Sequence, residues 1–400
     1  MSEFAGGLGP DVQIHYTLGS DGQFRVVTKD TSEEVMARFG SIPVVDIVYM
    51  YPPIGAQHVN MGRALWEEST HFKEAILACD AVARPLLPQS IVEVMYPDAC
   101  DQPMYEEVIQ TAQYALPCLF AFQFALTAMW EAEGCAPSYV IGHSLGEYMA
   151  AVASGVLGMP LAMALVCERA TLMHATVSSG AMMAVKASAD AARDAIMAAS
   201  AEGAVTVAAM SSHDATTLSG EWGALSRVLK QLPAGTKTAR VKGSHADHSP
   251  IMRPIATELE AKAAALYAQE APAPPVNGVE WWSSVTGGRM VDEAADSAFW
   301  GRQALEPVRF VEAMVGILQS HADKVSRMGT SELAPFETSR ECVAVEMGEG
   351  MLTRFGEAIM RDSAEGNAAG GVALDAEFRS TLSAKDGNRT PKGRMRARGW

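Results

Sequence analysis

The apolar and polar positions of the chain predict alternating strands and helices from residue 44 onward. The apolar run at 44–50 predicts a strand, and the Pro- and Gly-containing stretch at 51–57 predicts a loop directly after it. Apolar residues then recur at helical spacing in these stretches: 61–83, 105–131 with Pro117 as an interruption, and 161–176. Strands that alternate with helices in this way predict an α/β fold.

A different pattern occupies the region from 180 to 244. Short segments follow one another as strand, helix, strand, strand, helix and strand: 182–185, 189–199, 204–210, 216–219, 221–232 and 237–241. Ser188 is placed to cap the first of these helices. Because this order is that of a ferredoxin-like βαββαβ unit, we predict a small subdomain inserted into a larger one.

The predicted division has an N-terminal extension, a large subdomain in two parts around the small one, and a disordered tail: 1–43, 44–179, 180–244, 245–361 and 362–400. In the extension, 13–16 and 24–27 are predicted to pair as a hairpin. The tail is small, polar and finally basic, which is typical of unpacked chain. The remaining segments of the large subdomain are interpreted as strand and loop pieces: 281–287, 300–310 and 343–352.

One stretch carries candidate chemistry. The β-formers at 139–141 run into Gly-His-Ser-Leu-Gly-Glu at 142–147, and a helix of small residues follows at once. A strand, a tight turn and a helix are the context in which a serine hydroxyl is exposed as a nucleophile. The two glycines suit a strained turn that needs positive φ and close backbone approach. N–H groups at the helix start would face an oxyanion. We therefore predict Ser144 as a nucleophile.

Two other positions could complete such a site. Arg169 lies on the helix at 161–176 with apolar residues at i−4, i−3, i+3 and i+4, so its guanidinium should meet an anion. That anion is either a substrate carboxylate or an acidic side chain of the core. His245 and His248 lie in the loop that follows the small subdomain. We assign the general base to His248 and keep His245 as the alternative.

Composition narrows the class of protein. A formal charge of −16 argues against a nucleic-acid-binding protein, which would present a basic face. The six cysteines have no paired spacing, so we expect reduced thiols and a cytoplasmic location, with organellar targeting left open. No apolar run is expected to reach membrane-spanning length and no signal peptide is recognised, so we expect no membrane association.

Together these motifs resemble the malonyl-CoA:acyl-carrier-protein transacylases and the acyltransferase domains of fatty acid and polyketide synthases, over about 44–355. The Gly-His-Ser-x-Gly-Glu motif is present unchanged at 142–147, and the family arginine falls on Arg169. The family motifs Gly-Gln-Gly-x-Gln, His-Ala-Phe-His-Ser, Pro-Val-Arg-Phe and Glu-x-Gly-x-Gly fall on 53–57, 245–249, 307–310 and 346–350. The resemblance implies an α/β-hydrolase-like large subdomain with a ferredoxin-like small one.

The resemblance also implies a reaction. Ser144 would attack the thioester carbonyl of malonyl-CoA while His248 takes its proton. The backbone N–H groups of Gln57 and Leu145 would hold the oxyanion. The acyl group would then pass to the phosphopantetheine thiol of an acyl carrier protein. The CoA thioester and the phosphopantetheine thiol are both substrates, and the resemblance implies neither a bound cofactor nor a metal.

Two further roles come from the resemblance, and some positions depart from it. Gln303 matches the position expected to orient the histidine, and Arg169 would hold the malonyl carboxylate. Asp247 replaces the usual Phe beside His248, which places a negative charge near an anionic substrate. The other departures concern loop shape or pocket lining: Pro53, Ile54, Leu116 and the Ser-Ser-His stretch at 211–213.

Two other functions use the same residues differently. A thioester hydrolase would give the acyl ester of Ser144 to water, although an α/β-hydrolase carries an acid between the serine and a late histidine. A non-catalytic docking module of a synthase would keep the fold without turnover. The intact Ser144 and His248 favour an enzyme, and Arg169 on an apolar face disfavours a general esterase.

Overall fold

The computed structural model describes residues 14–18, 24–28, 44–176, 180–241, 245–276, 278–328, 340–348 and 377–380, together with Leu352, Phe355 and Ile359. Its strands are β1 (Ile14–Leu18), β2 (Phe24–Thr28), β3 (Val44–Tyr51), β4 (Tyr139–Gly142), β5 (Gly180–Val185), β6 (Val205–Ser212), β7 (Ala215–Glu221), β8 (Thr238–Arg240), β9 (Glu280–Ser283), β10 (Gly288–Arg289), β11 (Arg340–Glu346) and β12 (Glu377–Ser380).

The α-helices that the structure describes are α1 (Arg63–Glu68), α2 (Thr70–Ala83), α3 (Ile91–Met95), α4 (Gln102–Val108), α5 (Ala112–Ala132), α6 (Gly146–Ala153), α7 (Met159–Ala175), α8 (Ala189–Ala198), α9 (Trp222–Leu229), α10 (Arg253–Tyr267), α11 (Ala298–Leu305) and α12 (Phe310–Met328). Short 3₁₀ turns lie at Pro250–Met252 and Glu293–Ala295.

The large sheet has the strand order β10–β9–β4–β3–β11–β12, and the pair of β9 and β10 is antiparallel while the other pairs are parallel. In β3, Tyr49 and Tyr51 belong to one core, whereas Val48 and Met50 belong to a second core. A parallel strand covered by helices on both faces has to be apolar without alternation, which explains the apolar run at 44–50, interrupted only by Asp46.

The helix α5 lies inside the larger core. It is 21 residues long and apolar enough to cross a membrane by length and composition, so the expectation that no segment reaches that length is wrong. In the structure 78% of its most apolar window is buried, as in the core helix of a globular domain. Pro117 was predicted to interrupt this helix, but α5 continues through it. The surrounding packing overrides the local preference of proline, and the break falls earlier, between α4 and α5.

The second sheet has the order β6–β7–β5–β8, with antiparallel pairs throughout. That is the ferredoxin-like arrangement, so the predicted fold class is confirmed. Ser188 caps α8 as expected, since its side chain accepts a hydrogen bond from the Ala191 N–H group. The small sheet is joined to the large subdomain by backbone hydrogen bonds: Met210 N donates to Val308 O at 2.9 Å, and Val308 N to Ala208 O at 2.8 Å.

Other expectations are corrected or left outside the described residues. The segment 300–310 is not strand and loop but the greater part of α11, a turn and the start of α12. In the tail predicted as disordered, β12 pairs in parallel with β11. Strand pairing uses backbone groups that every sequence carries, so composition gave no signal for it. The rest of 362–400 lies outside the described residues, and the predicted hairpin is present as β1 paired with β2.

The start of α6 is held against both neighbours of β4. A Cβ atom on Gly146 would lie 2.1 Å from the carbonyl oxygen of Tyr51, at the end of β3. On the other side, the Glu147 carboxylate accepts hydrogen bonds from Ser284 N at 2.6 Å and from Trp281 Nε1 at 3.1 Å. Burial raises the pKa of Glu147 to about 7. These contacts fix the turn that carries Ser144 between β3 and β9.

We expect Gly146→Ala to destabilise the fold by about 1–3 kcal/mol or more, because the new methyl group meets backbone that cannot rotate away. Gly223→Ala in α9 is the matched control, since its Cβ would approach only Glu221 Oε1, at 3.6 Å. The control should be neutral or stabilising by up to about 1 kcal/mol. Urea unfolding measures both, and equal midpoints for the two variants would contradict the close approach.

Candidate active site

Ser144 lies at the carboxyl edge of the large sheet, between the end of β4 and the start of α6. Its φ is 53°, in the left-handed region that non-glycine residues rarely adopt. The prediction that the flanking glycines take positive φ is wrong, since neither is among the glycines in that region. They permit close approach instead: a Cβ on Gly142 would lie 2.2 Å from the Glu147 nitrogen. The backbone strain therefore falls on Ser144 itself.

His248 is hydrogen-bonded to that serine. The distance between Ser144 Oγ and His248 Nε2 is 2.7 Å, and His248 Nδ1 lies 2.8 Å from the carbonyl oxygen of Glu306. A carbonyl oxygen can only accept, so Nδ1 carries the proton and the neutral ring presents Nε2 as an acceptor. The serine hydroxyl therefore donates to a histidine whose tautomer suits proton removal.

The backbone of His248 is held from two sides. Its N–H group donates to the Ala304 carbonyl at 3.2 Å, and its own carbonyl accepts from Thr206 Oγ1 at 2.9 Å. Ala304 belongs to α11 and Thr206 to β6, so the histidine is fixed where the two subdomains meet. Sequence reasoning missed Thr206 and Glu306. Glu306 acts through its main chain, which leaves no side-chain signal.

Gln303 does not orient the histidine as the sequence predicted; the carbonyl of Glu306 takes that place. The Gln303 side chain is 1% exposed and bridges two other groups. Its Nε2 donates to the Ser144 carbonyl at 2.7 Å, and its Oε1 accepts from Arg169 Nη1 at 2.6 Å. The sequence identified Gln303 as a site residue but assigned it the wrong partner. The group that meets His248 Nδ1 lies three residues later, at Glu306, where α11 has ended.

Arg169 reaches this site from α7 and has an acidic neighbour there. Its Nη2 lies 3.7 Å from Asp247 Oδ1, and the side chains are 3% and 7% exposed. The guanidinium carbon also lies 6.0 Å from the centre of the Tyr148 ring. The sequence left open whether Arg169 meets a substrate carboxylate or an acidic side chain of the protein. In the structure its neighbour is the acidic side chain of Asp247, from the same loop as His248.

The pKa of His248 reflects these surroundings. Burial is the largest cause and lowers it from 6.5 to about 4; Asp247 acts in the opposite direction, and Arg169 adds to the decrease. The neighbouring His143 is lowered to a pKa of about 3, again mainly by burial. Its Nε2 lies 3.2 Å from Ser211 Oγ, one of the departures from the family pattern. Both rings are therefore neutral at physiological pH.

Two backbone N–H groups were predicted to face an oxyanion. Neither Leu145 N nor Gln57 N donates to another protein atom in the part of the chain that the structure describes. The loop of Gln57 is folded by its own side chain, which accepts from Gly55 N at 2.7 Å and donates to Gln110 Oε1 at 3.0 Å. Because β3 and β4 are parallel neighbours, this loop and the Ser144 turn leave the same edge of the sheet.

His245, the alternative base, has a different environment. Its Nε2 donates to the Met173 carbonyl at 2.6 Å, at the end of α7. The structure therefore pairs Ser144 with His248 and uses His245 to hold the loop. Among the described residues, no group of three or more His, Cys, Asp and Glu side chains could hold a metal ion.

Comparison with known proteins agrees with this architecture. A mycoketide-CoA synthase of Mycobacterium tuberculosis is 33% identical over 301 residues, which cover 74% of this chain but only 7% of that protein. A solved loading acyltransferase from the avermectin modular polyketide synthase is 26% identical with a TM-score of 0.69, covering 85% of this chain and 95% of that one. A malonyl CoA-acyl carrier protein transacylase from Burkholderia pseudomallei shares the fold, with 23% identity, a TM-score of 0.64 and coverage of 79% and 98%.

The family model described as "Acyl transferase domain" matches residues 48–326, a span that holds every element of the site from the Gln57 loop to α11. The paired Ser144 and His248 thus stand within the matched region. The chain belongs to the acyl transferase domain family.

Proposed function

We propose that this chain moves an acyl group, malonyl or a related one, from CoA to the phosphopantetheine thiol of an acyl carrier protein. The proposed intermediate is an acyl ester of Ser144, and the setting is fatty acid or polyketide biosynthesis. The observation that carries the proposal is the 2.7 Å hydrogen bond between Ser144 Oγ and His248 Nε2, in a ring whose other nitrogen is held by a carbonyl. The malonyl CoA-acyl carrier protein transacylases among the structural neighbours suggest the donor and the acceptor.

In the first half-reaction, Ser144 Oγ attacks the thioester carbonyl carbon and its proton passes to His248 Nε2. The tetrahedral oxyanion forms between the N–H groups of Leu145 and Gln57. When it collapses, the carbon–sulfur bond breaks, and His248 returns the proton to the sulfur of the leaving CoA. The acyl ester on Ser144 remains.

In the second half-reaction, the pantetheine thiol gives its proton to His248 and its sulfur attacks the ester. The carbon–oxygen bond breaks, and Ser144 Oγ recovers the proton. Glu306 supports both halves with a neutral carbonyl, which fixes the ring and its tautomer without adding a buried negative charge. In this proposal the reaction needs no bound cofactor, because the CoA thioester and the phosphopantetheine thiol both enter as substrates.

The same ester could also be given to water, so the acceptor has to be measured. Incubation of the chain with an acyl-CoA and a holo acyl carrier protein should yield acylated carrier faster than free acid, as followed by intact mass. Free acid formed at the same rate with and without carrier would replace the transferase with a thioester hydrolase. No turnover to either acceptor would favour a docking module.

His248→Ala should reduce acyl transfer by roughly two to four decades, because the general base is lost while the Ser144 turn is held by other contacts. His245→Ala is the comparison, because it removes a hydrogen bond to the Met173 carbonyl. It should lower the melting temperature and reduce the rate of acyl transfer much less than His248→Ala does. Initial rates of CoA release and thermal unfolding separate the two. A larger rate loss in His245→Ala would reverse the assignment of the base.

The rate of acylation should begin to fall only at a pH well below the ordinary pKa of histidine. His248 acts as a base only when neutral, and burial brings its pKa from 6.5 to about 4. The value of kcat/KM should therefore stay level as pH falls through 6.5 and decline only near the lower value. The measurement is kcat/KM for acylation from pH 8 downward with an acyl-CoA whose acyl group carries no ionisable group. A midpoint at 6.5 would show that the ring is open to water.

A further inference from the structure

The Arg169 guanidinium is held by this chain's own groups on two of its three nitrogens. Nη1 donates to Gln303 Oε1 at 2.6 Å, and Nη2 lies 3.7 Å from Asp247 Oδ1. Nε is buried and has no hydrogen-bond partner among the described residues. Gln303 is neutral, so the charge of the guanidinium is balanced by Asp247.

Asp247 is bound to little else. It is 5% exposed, and its Oδ1 has no hydrogen-bond partner within the described part of the chain. A separation of 3.7 Å is an ion pair without a hydrogen bond, so Arg169 stabilises this carboxylate through charge alone. A buried carboxylate without that cation would be strongly unfavourable, which makes the pairing mutual.

The pair lies beside the reacting atoms. Asp247 precedes His248 in the chain, and Arg169 is connected to the Ser144 carbonyl through Gln303 alone. An acyl group esterified to Ser144 would therefore lie near a buried site whose two charges cancel. A carboxylate brought to Arg169 would add a second negative charge against Asp247, whereas an uncharged acyl group leaves the balance unchanged.

We propose that Asp247 is a specificity-determining residue, which takes the place of a substrate carboxylate on Arg169 and so selects CoA thioesters of uncharged acyl groups over malonyl-CoA. The proposal rests on acyl transfer through Ser144 and narrows the donor of that reaction. Arg169 then serves to neutralise Asp247 and to hold Gln303 against Ser144, rather than to bind the acyl group.

The test compares acetyl-CoA, propionyl-CoA and malonyl-CoA as donors, with kcat/KM for acylation of Ser144 measured by CoA release and intact mass. The wild-type chain should prefer the two donors with uncharged acyl groups over malonyl-CoA by at least about tenfold. Asp247→Asn keeps the shape and removes the negative charge, so it should raise the malonyl-to-acetyl ratio by at least about tenfold. Adding Arg169→Met to Asp247→Asn should abolish that gain, because the cation freed by the first change is then absent.

Asp214→Asn is the matched control. It removes an aspartate that pairs with Lys186 at 3.4 Å on the surface, with 60% of its side chain exposed, so the donor ratio should not change. A wild-type preference for malonyl-CoA would overturn the proposal, and that measurement requires no variant to fold. An unchanged ratio in folded Asp247→Asn would overturn it as well. Acylation by malonyl-CoA alone would leave acyl transfer standing, whereas acylation by no donor would refute both.

Discussion

The hydrogen bond between Ser144 and His248 joins residues 104 positions apart, and the rest of the structure serves to bring them to 2.7 Å. Each partner has a left-handed backbone, with φ of 53° and 57°. Such conformations persist only where surrounding contacts impose them. For Ser144 the contacts come from β3 and β9, which confine the start of α6. For His248 they come from β6 and α11, through Thr206 and Ala304. The small subdomain thus helps to fix the geometry of the candidate site through Thr206.

Gln303 connects the Ser144 turn to the charged pair of Arg169 and Asp247. One end of its amide donates to the carbonyl of Ser144, which also accepts from Glu147 N at 3.0 Å, and the other end accepts from Arg169. Asp247 completes the connection, because it pairs with Arg169 and adjoins His248. A change in the charge beside Arg169 would therefore act on the residues that hold Ser144 and His248. Under the proposed function, substrate selection and catalysis would share one buried polar network.

The sequence was most informative where the structure depends on short-range pattern. The turn at Ser144 needs a strand, two glycines and a helix within a few residues, so the motif and its context identify it without long-range information. The βαββαβ order between 180 and 244 was readable for the same reason. Asp247 also stood out, as a charge where the family carries an aromatic ring.

Features that depend on distant contacts were not predictable from the chain. Pro117 lies inside a helix because the core around α5 holds it, and 300–305 is helical although the segment was interpreted as strand and loop. The hydrogen-bond partner of His248 Nδ1 is the main-chain carbonyl of Glu306, so the residue type at 306 could not predict it. Gln303 was identified as a site residue, but whether it meets the histidine or the arginine is decided by the direction in which α11 ends. The pairing of β12 with β11 likewise leaves no trace in composition.

The most direct measurement is the location of the covalent acyl group. The chain is incubated with acetyl-CoA without an acceptor, quenched in acid, digested and mapped by mass spectrometry. The arrangement of Ser144 and His248 predicts one acetyl ester on the peptide that contains Ser144, and none on that peptide from Ser144→Ala. An acetyl group on another side chain, or equal labelling of the Ser144→Ala chain, would show that the hydrogen-bonded pair is not the catalytic one.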